Sequence, residues 1–307
     1  MTPATAAGET ARMEFIANFM TVDVDAADWA RAREAEGWQV LGVADHFWTG
    51  ARPFPHSWVA LGAMAAVTST CRLTTSFANN LFRSPVEFAL ASLQMQMVSH
   101  GRFEAGLGAG WTKDEAIGSS LPYPTPGERA GRLIEAVQIV RQLFDHGSAS
   151  FHGEYYDIEV PHLGPQGKQY PAPPLVASVG GPKTIAGATP YLDRIEIKLI
   201  SAATKAGVLN LPYLATIPID HLHDLVTQIR AVNATAPLSV FILCGVGDDA
   251  TTKAVEDMLG DTFFGGFYGH PEKVAKNMLA LADAGVSRVQ VSPGNADAFE
   301  KLAPYLF

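Results

Sequence analysis

Gly101-Arg102-Phe103-Glu104-Ala105-Gly106-Leu107-Gly108-Ala109-Gly110-Trp111 is the stretch whose reading decides the fold. Gly101 follows a helical run, where a glycine in the left-handed region ends a helix. Phe103, Ala105 and Leu107 then alternate along the chain with the period of a short buried strand. Gly106, Gly108 and Gly110 fall on alternate positions at its carboxyl end. Glycines there let a flat or phosphorylated group approach the backbone without meeting a Cβ atom; tight packing inside a barrel is the competing reading. The spacing is not the dinucleotide fingerprint, which keeps two residues between its second and third glycines.

The unit of helix, glycine, short apolar strand and polar turn recurs on both sides of this stretch. Residues 29–36 read as a helix, Gly37 as its stop and 38–44 as a strand. Ser84-Pro85 caps and opens another helix, which His100-Gly101 closes. Thr125-Pro126-Gly127-Glu128 is a capping box that launches a helix over 129–144, closed by His146-Gly147. His270-Pro271 opens a helix through Ala284, and Gly285 stops it before the last strand. The expected strands are 13–19, 38–44, 72–78, 102–107, 175–179, 194–200, 238–244 and 286–291. Eight strands alternating with helices predict an α/β chain whose parallel sheet closes into a (β/α)8 TIM barrel with inserted loops. An open doubly wound sheet is the alternative. Two stretches break the rhythm: 148–174, with a hairpin around Phe151-His152-Gly153-Glu154-Tyr155-Tyr156, and 201–218, an apolar loop carrying Tyr213. Loops of this length in a compact barrel usually serve as functional covers, with disorder the ordinary alternative.

With 307 residues, 48% of them hydrophobic, the chain can bury one large core. Residues 1–12 are small and polar, lack the charged-then-apolar order of a signal peptide, and are expected to form a flexible tail ahead of one barrel domain over 13–307. The net charge is −9, from 22 Lys and Arg against 31 Asp and Glu, and no basic block interrupts it. That argues against nucleic acid or an anionic membrane surface as partner. No apolar run reaches the length of a membrane span. Cys71 and Cys244 stand in unrelated apolar contexts, which reads as buried, reduced thiols in a cytoplasmic protein.

In a barrel of this kind the chemistry collects where strands end and loops begin. The second strand delivers Asp45-His46-Phe47-Trp48; a histidine exchanges protons near neutral pH, and a neighbouring carboxylate can orient it. An Asp-His pair of this sort also serves as a plain turn with a surface imidazole. The third strand ends in Asn79-Asn80, followed by Phe82-Arg83; the asparagines either build the turn or meet the amide edge of a ligand. The fifth delivers Ser178-Val179-Gly180-Gly181-Pro182-Lys183, either an anion site at a helix start or a tight turn. His221 and His223 lie two apart on a helix that Asp220 is expected to cap, so they do not share a face, and no metal site is expected. No nucleophile elbow, phosphate-binding loop or zinc-protease motif is present.

These residues, taken in order, resemble the bacterial luciferase-like superfamily of flavin and deazaflavin oxidoreductases, especially its coenzyme F420-dependent branch. The resemblance rests on Gly37-Trp38 with Val43-Ala44-Asp45-His46-Phe47, and on the run from Ser99-His100-Gly101 to Gly110-Trp111. Gly127-Glu128-Arg129, the Phe151–Tyr156 hairpin and Ala282-Asp283-Ala284-Gly285-Val286 add to it. It implies a barrel, commonly a homodimer, with a tricyclic ring at the strand ends. Asp45 and His46 would lie beside the reactive ring, with His46 as proton donor or acceptor. A non-prolyl cis peptide would fall at Ser76–Phe77. Gly108, Ala109 and Gly110 would contact the cofactor, together with Ser76, Phe77, Asn79 and Trp111, and Ser178, Val179, Gly180 and Gly181 would hold its phosphate. Arg83 and Lys183 would be candidates for its acidic tail. Trp48, Trp111 and Tyr213 would line an aromatic pocket suited to a small, neutral, largely apolar substrate. Trp111 stands where sugar-phosphate-oxidising members carry a glutamate, and Asp114-Glu115-Ala116 lacks the tyrosine often found there.

The expected activity is therefore F420-dependent hydride transfer to or from a C=C, C=N or C=O bond. A reduced-FMN monooxygenase on the same barrel is the second expectation, and a non-catalytic barrel that sequesters a flavin-like ligand the third.

Overall fold

The structure, a computed structural model, describes residues 12–164 and 169–307. Of the tail expected over 1–12, residues 1–11 lie outside the described residues. Arg12 is tied down: its Nη2 donates to the Phe307 carbonyl at 2.9 Å.

Eight parallel strands form the barrel: β1 (Glu14–Phe19), β2 (Val40–Val43), β3 (Arg72–Thr75), β4 (Phe103–Gly108), β5 (Leu175–Val179), β6 (Arg194–Ile197), β7 (Leu238–Val246) and β8 (Arg288–Pro293). Each pairs with the next, and β8 returns to β1 with Glu14 opposite Arg288, so the sheet closes and the open-sheet alternative falls. Where the sequence reads one strand over 72–78, the chain runs as β3, a cis Ser76–Phe77 peptide and a two-residue strand Ala78–Asn79. Both strand pieces pair with β4.

The helices that bear on the site are α1 (Ala26–Ala35), α2 (Ser57–Val67), α3 (Pro85–Val98), α4 (Lys113–Gly118) and α5 (Pro126–His146). Local chemistry sets their ends. Ser84 caps α3, Thr125 and Glu128 form the full capping box of α5, and Gly147 closes α5 at φ +68°. Asp220 is not a cap; Pro218 holds that position, and Asp220 lies in the first turn of the helix Ile219–Val232. The hairpin forms from Ala149–His152 and Asp157–Val160. Its turn is fastened to α5, because Glu135 accepts from the amides of Glu154, Tyr155 and Tyr156 at 2.8 to 3.0 Å. The 201–218 loop folds into two 3-10 turns, Ala202–Thr204 and Pro212–Thr216.

Barrels of this type usually fill their interior with branched apolar side chains. Here the amino-terminal layer is ionic. Arg288 donates to Glu14 at 2.9 Å and to both oxygens of Glu104 at 2.5 and 3.0 Å. Arg72 reaches Glu104 at 3.0 Å and also pairs with Glu14. Burial alone would raise Glu104, but the Arg288 and Arg72 guanidinium groups hold its carboxyl below the ordinary range. Beyond Arg194 on β6, Glu196 is buried, and among the described residues neither carboxyl oxygen makes a well-formed hydrogen bond. Desolvation outweighs Arg288, Arg194 and a weak contact with the Ser239 hydroxyl, and pushes its pKa up to about 8.

The folded protein therefore keeps the Glu196 proton up to about pH 8, whereas an unfolded chain releases it near 4.5. Between those values the folded state binds more protons, so this group's contribution lowers stability as pH rises. Glu196→Gln is expected to remove that fall. Urea melts of wild type and variant at about pH 5 and about pH 8 measure it, and parallel losses would refute the assignment.

Candidate active site

A cavity of about 660 Å³ opens at the carboxyl ends of the strands. Ser76, Phe77, Asn79, Gly108, Ala109, Gly110, Trp111 and Ser178 line it, as do Asp45, His46 and Trp48. The sequence spreads these residues over more than a hundred positions, and barrel closure gathers them.

Asp45 and His46 part company. Neighbouring side chains in an extended segment point to opposite sides. Asp45 turns into the protein, where it accepts from Ser57 Oγ at 2.8 Å, from the Asn79 amide at 2.7 Å and from Arg83. Burial would raise its pKa, but the Arg83 hydrogen bond and charge, with Asn79 and Ser57, hold the carboxylate ionised and low. The expected tuning of His46 by Asp45 is thus replaced by a different pairing. His46 Nδ1 sits 2.9 Å from Glu115 Oε2 on α4, and the other Glu115 oxygen accepts from the Phe47 amide. A fully buried carboxylate on Nδ1 assigns the proton there and leaves Nε2 for the cavity. The imidazole stands between Phe54 and Trp111, with ring centroids 5.2 and 5.6 Å away. Trp111 supplies no carboxylate, as the sequence implies, yet one arrives from Glu115, four residues on and behind the imidazole.

The glycines answer the competing readings one by one. A Cβ on Gly106 would strike the Thr75 carbonyl and the Phe77 ring, so this glycine serves tight packing. Gly108 and Gly110 do line the cavity; Gly110 also needs its φ of +78°. Of the fifth-strand quartet only Ser178 faces the cavity. Val179 is buried, and a Cβ on Gly180 would meet the Lys198 carbonyl at 2.5 Å. Arg83 is committed to Asp45 and Glu87, and Lys183 Nζ donates to the Gly127 carbonyl on the surface. Asn79 and Asn80 build structure, with Asn79 Oδ1 accepting from the Leu81 amide at 3.0 Å and Asn80 Nδ2 donating to Tyr156 Oη at 3.1 Å. Tyr213 misses the cavity and is 41% exposed; Val208, Leu209 and Leu211 supply that wall.

Sequence reasoning missed Glu115, Lys198, Asn18 and Gln290. Asn18 and Gln290 come from β1 and β8 and lie at the cavity floor, where Asn18 Oδ1, both amide atoms of Gln290 and Ser76 Oγ have no hydrogen-bond partner among the described residues. The alternation of Glu14, Ile16 and Asn18 toward the barrel axis was the available signal.

The family model of luciferase-like monooxygenases matches residues 4–210. The chain belongs to this family. An uncharacterized protein of Mycobacterium tuberculosis is 34% identical over 126 residues, 41% of this chain and 44% of the relative. The F420-dependent glucose-6-phosphate dehydrogenase of Nocardia farcinica is 28% identical over 290 residues, 87% of this chain and 83% of the relative. Several other curated relatives are matched over about half their length, 44% to 49%. An F420-dependent secondary alcohol dehydrogenase, solved with an F420-acetone adduct, superposes with TM-score 0.72 at 16% identity, covering 96% of this chain and 99% of that one. At that identity the likeness concerns the fold.

Within this luciferase-like barrel, Glu115 is the residue that orients His46. Glu115→Gln is expected to lower turnover about tenfold or more while cofactor affinity stays within about threefold, read by steady-state kinetics beside a binding titration. Unchanged turnover would remove Glu115 from the catalytic arrangement.

Proposed function

We propose that this protein is a coenzyme F420-dependent oxidoreductase acting on a C=C, C=N or C=O bond, or its saturated counterpart, of a small organic molecule with a largely apolar body. The observation that carries the proposal is His46, locked by Glu115 and presented to a cavity walled by aromatic rings and glycine backbone. Similarity to F420-dependent dehydrogenases along most of the chain supports the choice of cofactor.

The residues present fit a deazaflavin. The unpartnered Asn18, Gln290 and Ser76 atoms at the floor offer both donors and acceptors, as the imide edge of such a ring requires. Gly108, Ala109 and Gly110 present backbone to one side, and Phe77, Asn79 and Ser178 complete the cradle. When bound, F420 supplies a ring carbon that gives or accepts hydride. His46 handles the matching proton at Nε2, Glu115 fixes its tautomer, and Asp45 acts at one remove by fastening Asn79 to Arg83. Trp48 and Trp111 exclude water and hold the substrate's apolar body. Sugar-phosphate oxidation is not carried over, because Trp111 offers no carboxylate and Glu115 is sealed behind the imidazole.

A reduced-FMN monooxygenase is the second reading, favoured by the family to which the chain belongs. Tryptophan quenching by F420 and by FMN, with oxygen uptake set against anaerobic F420 turnover, separates the two. Quenching by FMN alone, with oxygen uptake, would replace the first reading with the second. His46→Ala is expected to lower F420-dependent turnover about 100-fold or more, with F420 affinity nearly unchanged. Turnover near wild type would sink the proton role.

We further propose that α2 and α3 form a homodimer face. Both helices are apolar around most of their circumference, and Val59, Leu90 and Val98 remain 71%, 41% and 50% exposed. Sedimentation is expected to give twice the 32.8 kDa chain mass, and Val59→Asp to give the monomer. A monomeric wild type would refute the assignment.

A further inference from the structure

Lys198, one residue past the end of β6, continues the alternation of Arg194 and Glu196 and lines the cavity. Its root is fixed. The Lys198 amide donates to the Val179 carbonyl at 2.7 Å, and Ser201 Oγ donates to the Lys198 carbonyl at 2.7 Å. The absence of a side chain at Gly180 lets this turn lie close against β5. The ammonium lies over Trp111, 5.9 Å from the ring centroid, and His46 meets the same indole at 5.6 Å. Lys198 and His46 therefore share the indole that borders the substrate space.

Among the described residues no carboxylate comes within ion-pair distance of Lys198. The other charged groups on the inner wall are already matched: Asp45 by Arg83, and His46 against Glu115. Arg52 and Asp114 are exposed at the mouth, with Arg52 over Phe54 at 5.5 Å. Behind the wall stands another cation. Arg129 is buried, donates to the Pro124 carbonyl at 2.7 Å and lies 4.4 Å from the Tyr123 ring centroid. Burial first, and then Arg129, pull the Lys198 pKa down to about 8. A half-buried ammonium with a like charge nearby and no counter-charge gains from an anion that enters the space it faces.

We propose that Lys198 recognises a carboxylate on the substrate, so that this site takes monoanionic organic acids with an apolar body. The inference deepens the proposed oxidoreductase reading and rests on it for the use of the site. A single charge suits the geometry, because Lys198 is presented to the cavity while Arg129 is sealed behind it. The aromatic wall of Trp111, Phe54 and Trp48 would receive the rest of the molecule. The acid group, held at Lys198, sets which bond of the substrate comes to His46.

The test uses calorimetric titration of the full chain with 3-phenylpropanoate and, separately, with 3-phenylpropanamide, which share one body and differ in charge. Wild type is expected to bind the acid about tenfold or more tighter than the amide. Lys198→Met should abolish that preference while leaving the amide within about twofold, and Lys198→Arg should retain it, which guards against simple misfolding. Equal binding of acid and amide by wild type, no measurable acid binding, or a preference that survives Lys198→Met would overturn the proposal. So would a Lys198→Met variant that loses F420 affinity and keeps its acid preference, because Lys198 would then serve the cofactor's own acidic portion. F420 is titrated in parallel. Failure of wild type to bind F420 with the acid preference intact would fail the proposed cofactor and leave the carboxylate site standing.

Discussion

Arg288 closes this molecule. It sits on the last strand and donates to Glu14 on the first and to Glu104 on the fourth, so one guanidinium spans the barrel interior. Breaking such a buried pair by removing one partner costs about 3–5 kcal/mol, because the remaining charge has no water to turn to. The ionic layer thus does at the bottom of the barrel what branched apolar side chains do in most others. Above it, burial keeps Glu196 protonated against the pull of Arg288, and the cavity floor is polar and under-satisfied among the described residues.

Above that floor, two carboxylates divide the work according to which way the chain faces. Asp45 points into the wall and ties the segment that follows the cis peptide to Arg83, which in turn pairs with Glu87 on α3. Glu115 points at the imidazole and at the backbone of Phe47. Both are buried and both accept charge-assisted or amide hydrogen bonds, which is the condition for a carboxylate to remain inside. The site is held by these two anchors more than by its aromatic lining, which gives shape and dryness.

The cavity combines three kinds of surface: glycine backbone and unpartnered amides on one side, aromatic rings around the mouth, and an ammonium near the indole. The first suits a planar heterocycle and the second an apolar substrate body. The third gives the cavity a direction, because a substrate with a charged end would enter one way round.

Much of this was legible in the chain. Strand period, helix-stopping glycines and the Thr125–Glu128 capping box act over a few residues, and they were enough to place eight strands and imply closure. His46 and the Gly108–Gly110 turn were legible because a strand end delivers them directly to the cavity. What acts across the sequence was not. The partner of His46 lies 69 positions away and that of Asp45 lies 38 away, and which partner each neighbour meets depends on how α4 and the segment leading into α3 pack. The residue type of Tyr213 suggests an inward place, whereas Leu211, just ahead of the 3-10 turn that carries the tyrosine, lines the cavity and Tyr213 stays outside. Lys198 has no local signature at all. A lysine after a strand is ordinarily solvated, and only the closing of β5 and β6 around it, with no carboxylate in reach among the described residues, leaves a charge facing the cavity. The sequence by itself determined the barrel and the residues offered at its mouth. Tertiary structure decided which of them are paired and which remain free, because pairing depends on distances between strands that only closure brings together.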